Sequence, residues 1–257
     1  MATTFYKYQG TGNDFVIIDN RSLHFDKNDT NRIKSICDRR FGVGADGLIL
    51  LENHPDYDFK MVYYNSDGNE STMCGNGGRC LVAFAKFLGI IESETVFEAV
   101  DGPHRARINK GIVELQMLDV EEIDNSSDHS FLNTGSPHVV VQHKNLDEMD
   151  ILNEARKIRY SERFKEKGTN VNFVKKISDD TFAVRTYERG VEDETLSCGT
   201  GVTAVGIAMN YLKMFDGNEV YIQTPGGNLM IRFNNHGEKY TNVWLIGPAK
   251  QVFKGEL

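Results

Sequence analysis

An α/β fold of the α+β type is expected. It is built as two pseudo-symmetric domains, each a curled, mostly antiparallel sheet wrapped around a central helix. Three observations predict it. The chain repeats itself: Met73-Cys74-Gly75-Asn76-Gly77 and Ser197-Cys198-Gly199-Thr200-Gly201 read almost alike, 124 residues apart in a chain of 257. Most of each half reads as short runs of β-branched and aromatic residues, which suit pleated strands. Finally, the run after each cysteine is nearly uncharged, with only Arg79 and Lys86 between Cys74 and Leu88 and no charge between Cys198 and Leu212. A helix apolar on nearly every side must be buried all round, and in a strand-rich half that places it inside a curled sheet.

The repetition extends beyond the cysteines. Thr11-Gly12-Asn13-Asp14-Phe15-Val16-Ile17-Ile18 aligns with Thr134-Gly135-Ser136-Pro137-His138-Val139-Val140-Val141 at an offset of 123. Tyr63 precedes Cys74 as Tyr187 precedes Cys198, and Glu70 corresponds to Glu194. Ala106-Arg107-Ile108 matches Ile231-Arg232-Phe233 at an offset of 125. Matches in one order at a nearly constant offset mark a duplication.

In the first half, strands are expected at residues 15–20, 48–52, 59–64, 105–108 and 112–117, with a peripheral helix at 31–39. In the second half they are expected at 139–142, 171–174, 182–187, 220–223, 229–233 and 243–246, with a helix at 146–157. Gly89 and Gly217 sit where the two central helices should stop. The acidic, polar segment 118–130 reads as the crossover, so the domains are expected at 1–118 and 119–247, with 248–257 packing back onto the first. Gly42-Val43-Gly44-Ala45-Asp46-Gly47 matches G-x-G-x-x-G, but no strand precedes it and a strand follows it, which makes it a turn rather than a dinucleotide fingerprint. Neither cysteine turn continues into Gly-Lys-Ser/Thr, so a P-loop is not supported.

A composition 40% hydrophobic and 26% charged is that of a soluble globular protein, and the formal net charge of −8 argues against nucleic acid or an anionic membrane as partner. No stretch approaches the roughly 20 apolar residues of a membrane span. The first residues carry no signal-peptide pattern, so a cytoplasmic location is expected. Four cysteines, Cys37, Cys74, Cys80 and Cys198, form no closely spaced pair of the kind zinc prefers, and no metal is expected. Cys37 and Cys80 read as small buried hydrophobes.

The duplicated cysteines suit inversion of a carbon centre, with a base on one face and an acid on the other. A thiol titrates near pH ~8.5, and a helix N-terminus lowers that value. The unpaired N–H groups at Gly75-Asn76-Gly77 and Gly199-Thr200-Gly201 can hold a carboxylate and the charge that develops on it. The substrate's own negative charge favours one thiolate and one thiol over two thiolates.

With these residues in view, the chain resembles the diaminopimelate epimerase family. The resemblance runs through Gly10-Thr11-Gly12-Asn13-Asp14-Phe15, Gly42 to Gly47, Asn65-Ser66-Asp67-Gly68 and Cys74-Gly75-Asn76-Gly77-Gly78-Arg79-Cys80. It continues through Gly135-Ser136-Pro137-His138, Thr169-Asn170-Val171-Asn172-Phe173, Tyr187-Glu188-Arg189-Gly190 and Cys198-Gly199-Thr200-Gly201. It implies two domains with the active site in the cleft between them, and interconversion of LL- and meso-2,6-diaminopimelate without pyridoxal phosphate or metal, on the route to lysine and peptidoglycan precursors. Cys74 and Cys198 would exchange roles as base and acid. Asn13, Asn65, Asn170, Glu188 and Arg189 match positions that hold the amino and carboxylate groups, with Arg189 on the distal carboxylate. Gly75, Asn76, Gly199 and Thr200 would hold the reacting one. His138 matches a histidine near the site, with a core or supporting role equally open. Ser136 stands where many members carry asparagine, Gly47 where some carry glutamine, and the connection through Glu194 is longer by about one residue than in some.

The nearest rival is a proline or hydroxyproline racemase of the same fold, whose substrate has one amino-acid head group rather than two. A redox sensor joining Cys74 to Cys198 leaves the anion-binding glycines unexplained. The oligomeric state is not legible, and a homodimer is left open.

Overall fold

The computed structural model describes residues 2–257, which divide into two compact units. The first runs to Leu115 and takes back Gly247–Leu257; the second is Gln116–Ile246. In chain order the first unit holds β1 (Thr4–Gly10), β2 (Asn13–Asp19), α1 (Thr30–Cys37), β3 (Gly47–Glu52), β4 (Phe59–Asn65), α2 (Gly75–Phe87), β5 (Glu94–Ala99), β6 (Gly102–Asn109) and β7 (Ile112–Gln116). The second holds β8 (Ile123–Asn125), β9 (Ser130–Asn133), β10 (Pro137–Gln142), α3 (Ile151–Arg159), β11 (Asn170–Lys176), β12 (Thr181–Glu188), β13 (Asp193–Thr195), α4 (Gly199–Tyr211), β14 (Glu219–Thr224), β15 (Gly227–Asn235) and β16 (Tyr240–Pro248). Strand β17 (Lys250–Glu256) belongs to the first unit.

The duplication is literal at the level of strand pairing. The first sheet runs β17-β1-β2-β3-β4-β5-β6-β7. The second runs β8-β9-β10-β11-β12-β14-β15-β16. Parallel pairs fall at the same places, β2–β3 and β4–β5 in one, β10–β11 and β12–β14 in the other. A parallel pair needs a crossover, and α1, α2, α3 and α4 supply them. All other neighbours in these two orders are antiparallel.

The apolar helices sit as their sequences require. Helix α2 touches β1, β2, β3, β4, β6 and β17, and α4 touches β9, β10, β11, β12, β15 and β14, the first five being the equivalents of β1, β2, β3, β4 and β6, so each sheet curls around its own helix. Ten residues from Val202 to Tyr211 hold no charged side chain, and Val202, Ala204, Val205, Ile207 and Ala208 are fully buried. The outer helices are capped alike: Asp29 accepts from the Arg32 N–H and Asp150 from the Asn153 N–H. No helix among the described residues is long and apolar enough to cross a membrane.

Several elements differ from expectation. Segment 118–130 is not a plain crossover, because Val120 bridges Tyr240 and β8 forms the edge of the second sheet. Helix α4 does not run to Gly217. It ends at Tyr211, where Lys213 takes the left-handed conformation (φ 55°), the counterpart of Gly89 (φ 70°) at the end of α2. Both ends close with the same bonds, Ile90 N–H to Ala85 and Gly89 N–H to Lys86 in one, Met214 N–H to Met209 and Lys213 N–H to Asn210 in the other. The glycine-rich segment 42–47 is a turn between α1 and β3, and a Cβ on Gly42 would lie 2.0 Å from the Ser35 carbonyl oxygen.

Candidate active site

Each central helix starts in the same way. Cys74 caps α2 with φ −110° and ψ 119°, and Cys198 caps α4 with φ −119° and ψ 115°. The first intrahelical bonds are Gly78 N–H to the Cys74 carbonyl at 2.8 Å and Val202 N–H to the Cys198 carbonyl at 2.9 Å. The three residues between cysteine and first donor, 75–77 and 199–201, present N–H groups with no intrahelical partner, a ready anion site with the helix dipole behind it. No side chain caps either helix. The space differs between the two: a Cβ on Gly201 would lie 2.6 Å from Asn172 Oδ1, whereas one on Gly77 would lie 3.1 Å from the movable tip of Ile49, its Cδ1.

In the first unit, Asn13 begins β2 immediately after the β1–β2 turn, where Thr11 (φ 51°) and Gly12 (φ 84°) both take the left-handed region. Its amide Nδ2 donates to Asp46 Oδ2 at 2.5 Å, which turns Oδ1 towards Cys74 Sγ at 3.6 Å. Asn76 Nδ2 donates to the same Oδ1 at 3.2 Å. Asn76 in turn accepts at Oδ1 from Arg79 Nη2 at 3.0 Å. Arg79 is fully buried, donates also to the Gly75 carbonyl and Thr11 Oγ1, and has no carboxylate partner among the described residues. Burial pulls its pKa down to about 10. Asp46 is held by Arg39 at 2.6 Å, and Arg39 also grips Asp14, which pairs with the buried Lys7 at 2.7 Å.

In the second unit, His138 on β10 is fully buried, and its Nε2 lies 2.9 Å from Thr200 Oγ1. Thr200 Oγ1 is 3.4 Å from Cys198 Sγ. Burial, aided by the charge of Arg189, pushes the His138 pKa down to about 3, so the ring is neutral. Asn170 and Asn172 lie two apart on β11 and both reach the His138 ring region. Asn170 donates to the Pro137 carbonyl at 3.2 Å and accepts the Arg189 N–H at 2.9 Å. Arg189 donates to the Lys167 carbonyl at 2.8 Å, its chain crossing Gly168, where a Cβ would lie 2.5 Å from Arg189 Cδ. Glu188 Oε1 accepts from Thr195 Oγ1 at 2.5 Å.

Thus Asn13, Gly75 and Asn76 gather at Cys74, and Gly199 and Thr200 at Cys198. Asn170 and Arg189 are tied to one another on the second unit, with Glu188 beside Arg189 in sequence. Asn65 stands apart from the Cys74 cluster in hydrogen bonding: it ends β4, exposed, with its backbone N–H on the Asn69 carbonyl at 3.0 Å. Gly47 has no room for a side chain, since a Cβ would lie 2.4 Å from the Tyr64 carbonyl oxygen. Cys37 and Cys80 are buried, and burial raises each thiol to about 12, as suits core residues. Sequence reasoning did not single out Arg79, Asp46 or Asn172 for a role. The signal for Arg79 was present, as one of two charges in an otherwise apolar helix.

The family model for diaminopimelate epimerase matches residues 5–123 and again 130–252. The chain belongs to the diaminopimelate epimerase family. The diaminopimelate epimerase of Flavobacterium psychrophilum is 58% identical over 250 residues, covering 97% of this chain and 98% of that protein. That of Aquifex aeolicus is 41% identical, covering 98% and 97%. Among solved structures, a PhzF-family phenazine biosynthesis protein of Bacillus anthracis shares the fold with a TM-score of 0.77 at 13% identity, over 100% of this chain and 99% of that one. A hydroxyproline epimerase of Agrobacterium vitis does so with a TM-score of 0.74 at 13% identity, over 100% and 91%. These two show the fold alone.

Proposed function

We propose that the protein is an isomerase interconverting LL- and meso-2,6-diaminopimelate, with Cys74 and Cys198 as the two proton-transfer groups and no cofactor. The observation that carries this reading is the matched pair of helix starts, each offering one cysteine and three N–H groups that make no bond within the helix. A thiolate takes the α-proton. The charge left behind spreads onto the adjacent carboxylate, where the N–H groups of residues 75–77 and 199–201 stabilise it. The other thiol returns a proton to the opposite face, and the configuration inverts. In the reverse direction the two cysteines exchange roles.

Asn13, Asn65, Asn170, Glu188 and Arg189 are the groups proposed to hold the rest of the substrate. The two units differ where a two-headed substrate requires it. At the 124-residue offset Glu188 falls opposite Tyr64 and Arg189 opposite Asn65, so at these two positions only the second unit offers a carboxylate and a guanidinium for the distal amino-acid group. Lysine and peptidoglycan-precursor biosynthesis, in the cytoplasm, is the setting this reading implies.

The test is incubation with LL-diaminopimelate in D2O without added cofactor. The reading expects meso product with deuterium at the α-carbon; absence of both defeats it. Cys74→Ala and Cys198→Ala should each nearly abolish epimerisation in a folded protein, and wild-type activity in either removes the two-base mechanism. Racemisation of proline faster than epimerisation of diaminopimelate would point to the rival substrate class.

A further inference from the structure

We infer that His138 and Thr200 form a positioning pair that makes Cys198 the thiolate of the resting protein, leaving Cys74 as the thiol. Asn172 Nδ2 donates to the Val139 carbonyl at 3.0 Å, and Asn172 Oδ1 accepts from Thr186 Oγ1 at 3.0 Å, so the amide has one orientation. Its nitrogen therefore faces His138 Nδ1 at 3.1 Å, which makes Nδ1 the acceptor. The neutral ring then carries its one hydrogen on Nε2, which donates to Thr200 Oγ1 at 2.9 Å. Asn170 Nδ2 stands 3.5 Å from that nitrogen and donates instead to the Pro137 carbonyl at 3.2 Å.

The Thr200 hydroxyl hydrogen consequently has no place on His138. The acceptor it meets is Cys198 Sγ at 3.4 Å. Sulfur accepts weakly as a thiol and strongly as a thiolate, so a hydroxyl held in the donating sense favours the charged form.

The first unit has the opposite polarity. Asp46 takes the Asn13 amide hydrogen, so Cys74 Sγ faces a carbonyl oxygen at 3.6 Å, to which only S–H can donate. A thiolate at Cys74 would face that oxygen's partial negative charge. In the first unit Arg79 on α2 favours a Cys74 thiolate and so opposes the assignment, while the Asp46 carboxylate on Asn13, with Asp14 beside it, disfavours one; in the second, Arg189 places a positive charge near His138, on the side of the Thr200–Cys198 pair. Arg79 spends its hydrogen bonds on Gly75, Thr11 and Asn76 rather than on sulfur. At offsets of 123 and 124, His138 and Thr200 fall opposite Phe15 and Asn76, so the first unit lacks the pair altogether.

The role of the two cysteines in catalysis belongs to the proposed function, but the test needs neither substrate nor turnover. The full-length protein is alkylated with iodoacetamide from about pH 5 to about pH 10, and the rate at each cysteine is followed by peptide mass spectrometry. The pH midpoint of each rate reports ionisation independently of how accessible the sulfur is. Cys198 should show the lower midpoint. Thr200→Val should raise it by about one unit, a roughly tenfold loss of thiolate at neutral pH, and Thr200→Ser should restore it. Cys74 should not move in either variant. A lower midpoint at Cys74 in the wild type overturns the inference, as does a Cys198 midpoint unmoved by Thr200→Val or not restored by serine. If the valine variant does not fold, the wild-type order decides alone. Failure here leaves the D2O result standing, and failure there leaves the order of the thiols standing.

Discussion

Gly201→Ala and Gly77→Ala make the same change at equivalent positions, and the structure predicts unequal outcomes. At Gly77 the new methyl would lie 3.1 Å from Ile49 Cδ1 and 3.3 Å from Met61 Cε, both movable tips of apolar side chains. The small strain is offset by the roughly 1 kcal/mol that alanine gains over glycine in a helix, so stability should barely change. At Gly201 the methyl would lie 2.6 Å from Asn172 Oδ1. That amide cannot swing away freely, because it holds Thr186, Val139 and His138. Disrupting three buried hydrogen bonds at roughly 1 kcal/mol each, less the helix gain of about 1, leaves a net loss of about 2 kcal/mol. For units of this size that lowers the melting temperature by about 4–8 °C. Thermal unfolding followed by circular dichroism measures it. A Gly201→Ala protein melting within about 2 °C of Gly77→Ala would refute the claim that the Asn172 amide is pinned. Activity of Gly201→Ala should fall further than the folded fraction explains, since the same methyl would stand 3.4 Å from Cys198 Sγ.

Lys213→Gly should stabilise the second unit by about 0.5–1 kcal/mol, because glycine relieves the left-handed strain at φ 55° while adding backbone entropy to the unfolded chain; a lower midpoint in urea would contradict this. Burial alone would raise the Asp14 pKa, but hydrogen bonds from Arg39 and Lys7 outweigh it and bring the group down to about 2. The folded value thus lies below the unfolded one, so this stabilisation, about 2 kcal/mol, is full above the unfolded pKa of ~3.9 and is lost as pH falls through about 2. Lys7→Met should therefore be less stable than wild type at neutral pH, with the gap closing below about pH 3; a gap independent of pH would remove the ion pair from the explanation. Arg79→Met replaces a buried cation lacking a carboxylate, so stability should change by less than about 2 kcal/mol. Activity should drop at least about tenfold as Asn76 loses its anchor, and an unimpaired variant would show that the anchor is dispensable.

The parts legible in the sequence were those where one residue pattern has one physical solution. Two uncharged runs had to be buried helices, and the constant offset between them foretold the paired topology. The parts that were not legible have particular reasons. Strand β1 contains Lys7, Tyr8 and Gln9, which look like loop, yet Lys7 is buried because its ammonium reaches Asp14 and the Gly44 carbonyl. Strand β17 is exposed at most positions and so shows no alternation to detect. Lys213 hid the end of α4, because lysine is a poor advertisement for a left-handed residue. The supporting residues of the candidate site, Asp46 and Asn172, act through other side chains rather than presenting a motif of their own. Their orientation of Asn13 and His138 exists only once β2 lies beside β3, and β10 beside β11.

The sheet position filled by β8 in the second unit is filled by β17 in the first, and this sets an order of assembly. During synthesis the second unit has all its strands once residue 246 has emerged, since β8 precedes β9 by a short hairpin. The first unit, though its other strands come earlier, keeps an open edge along β1 until residues 250–256 arrive to cover it. An open edge is a template for pairing with other chains, so the half made first is the half exposed longest. A released chain truncated before Lys250 should hold a protease-resistant second unit and a first unit still open to capture along β1.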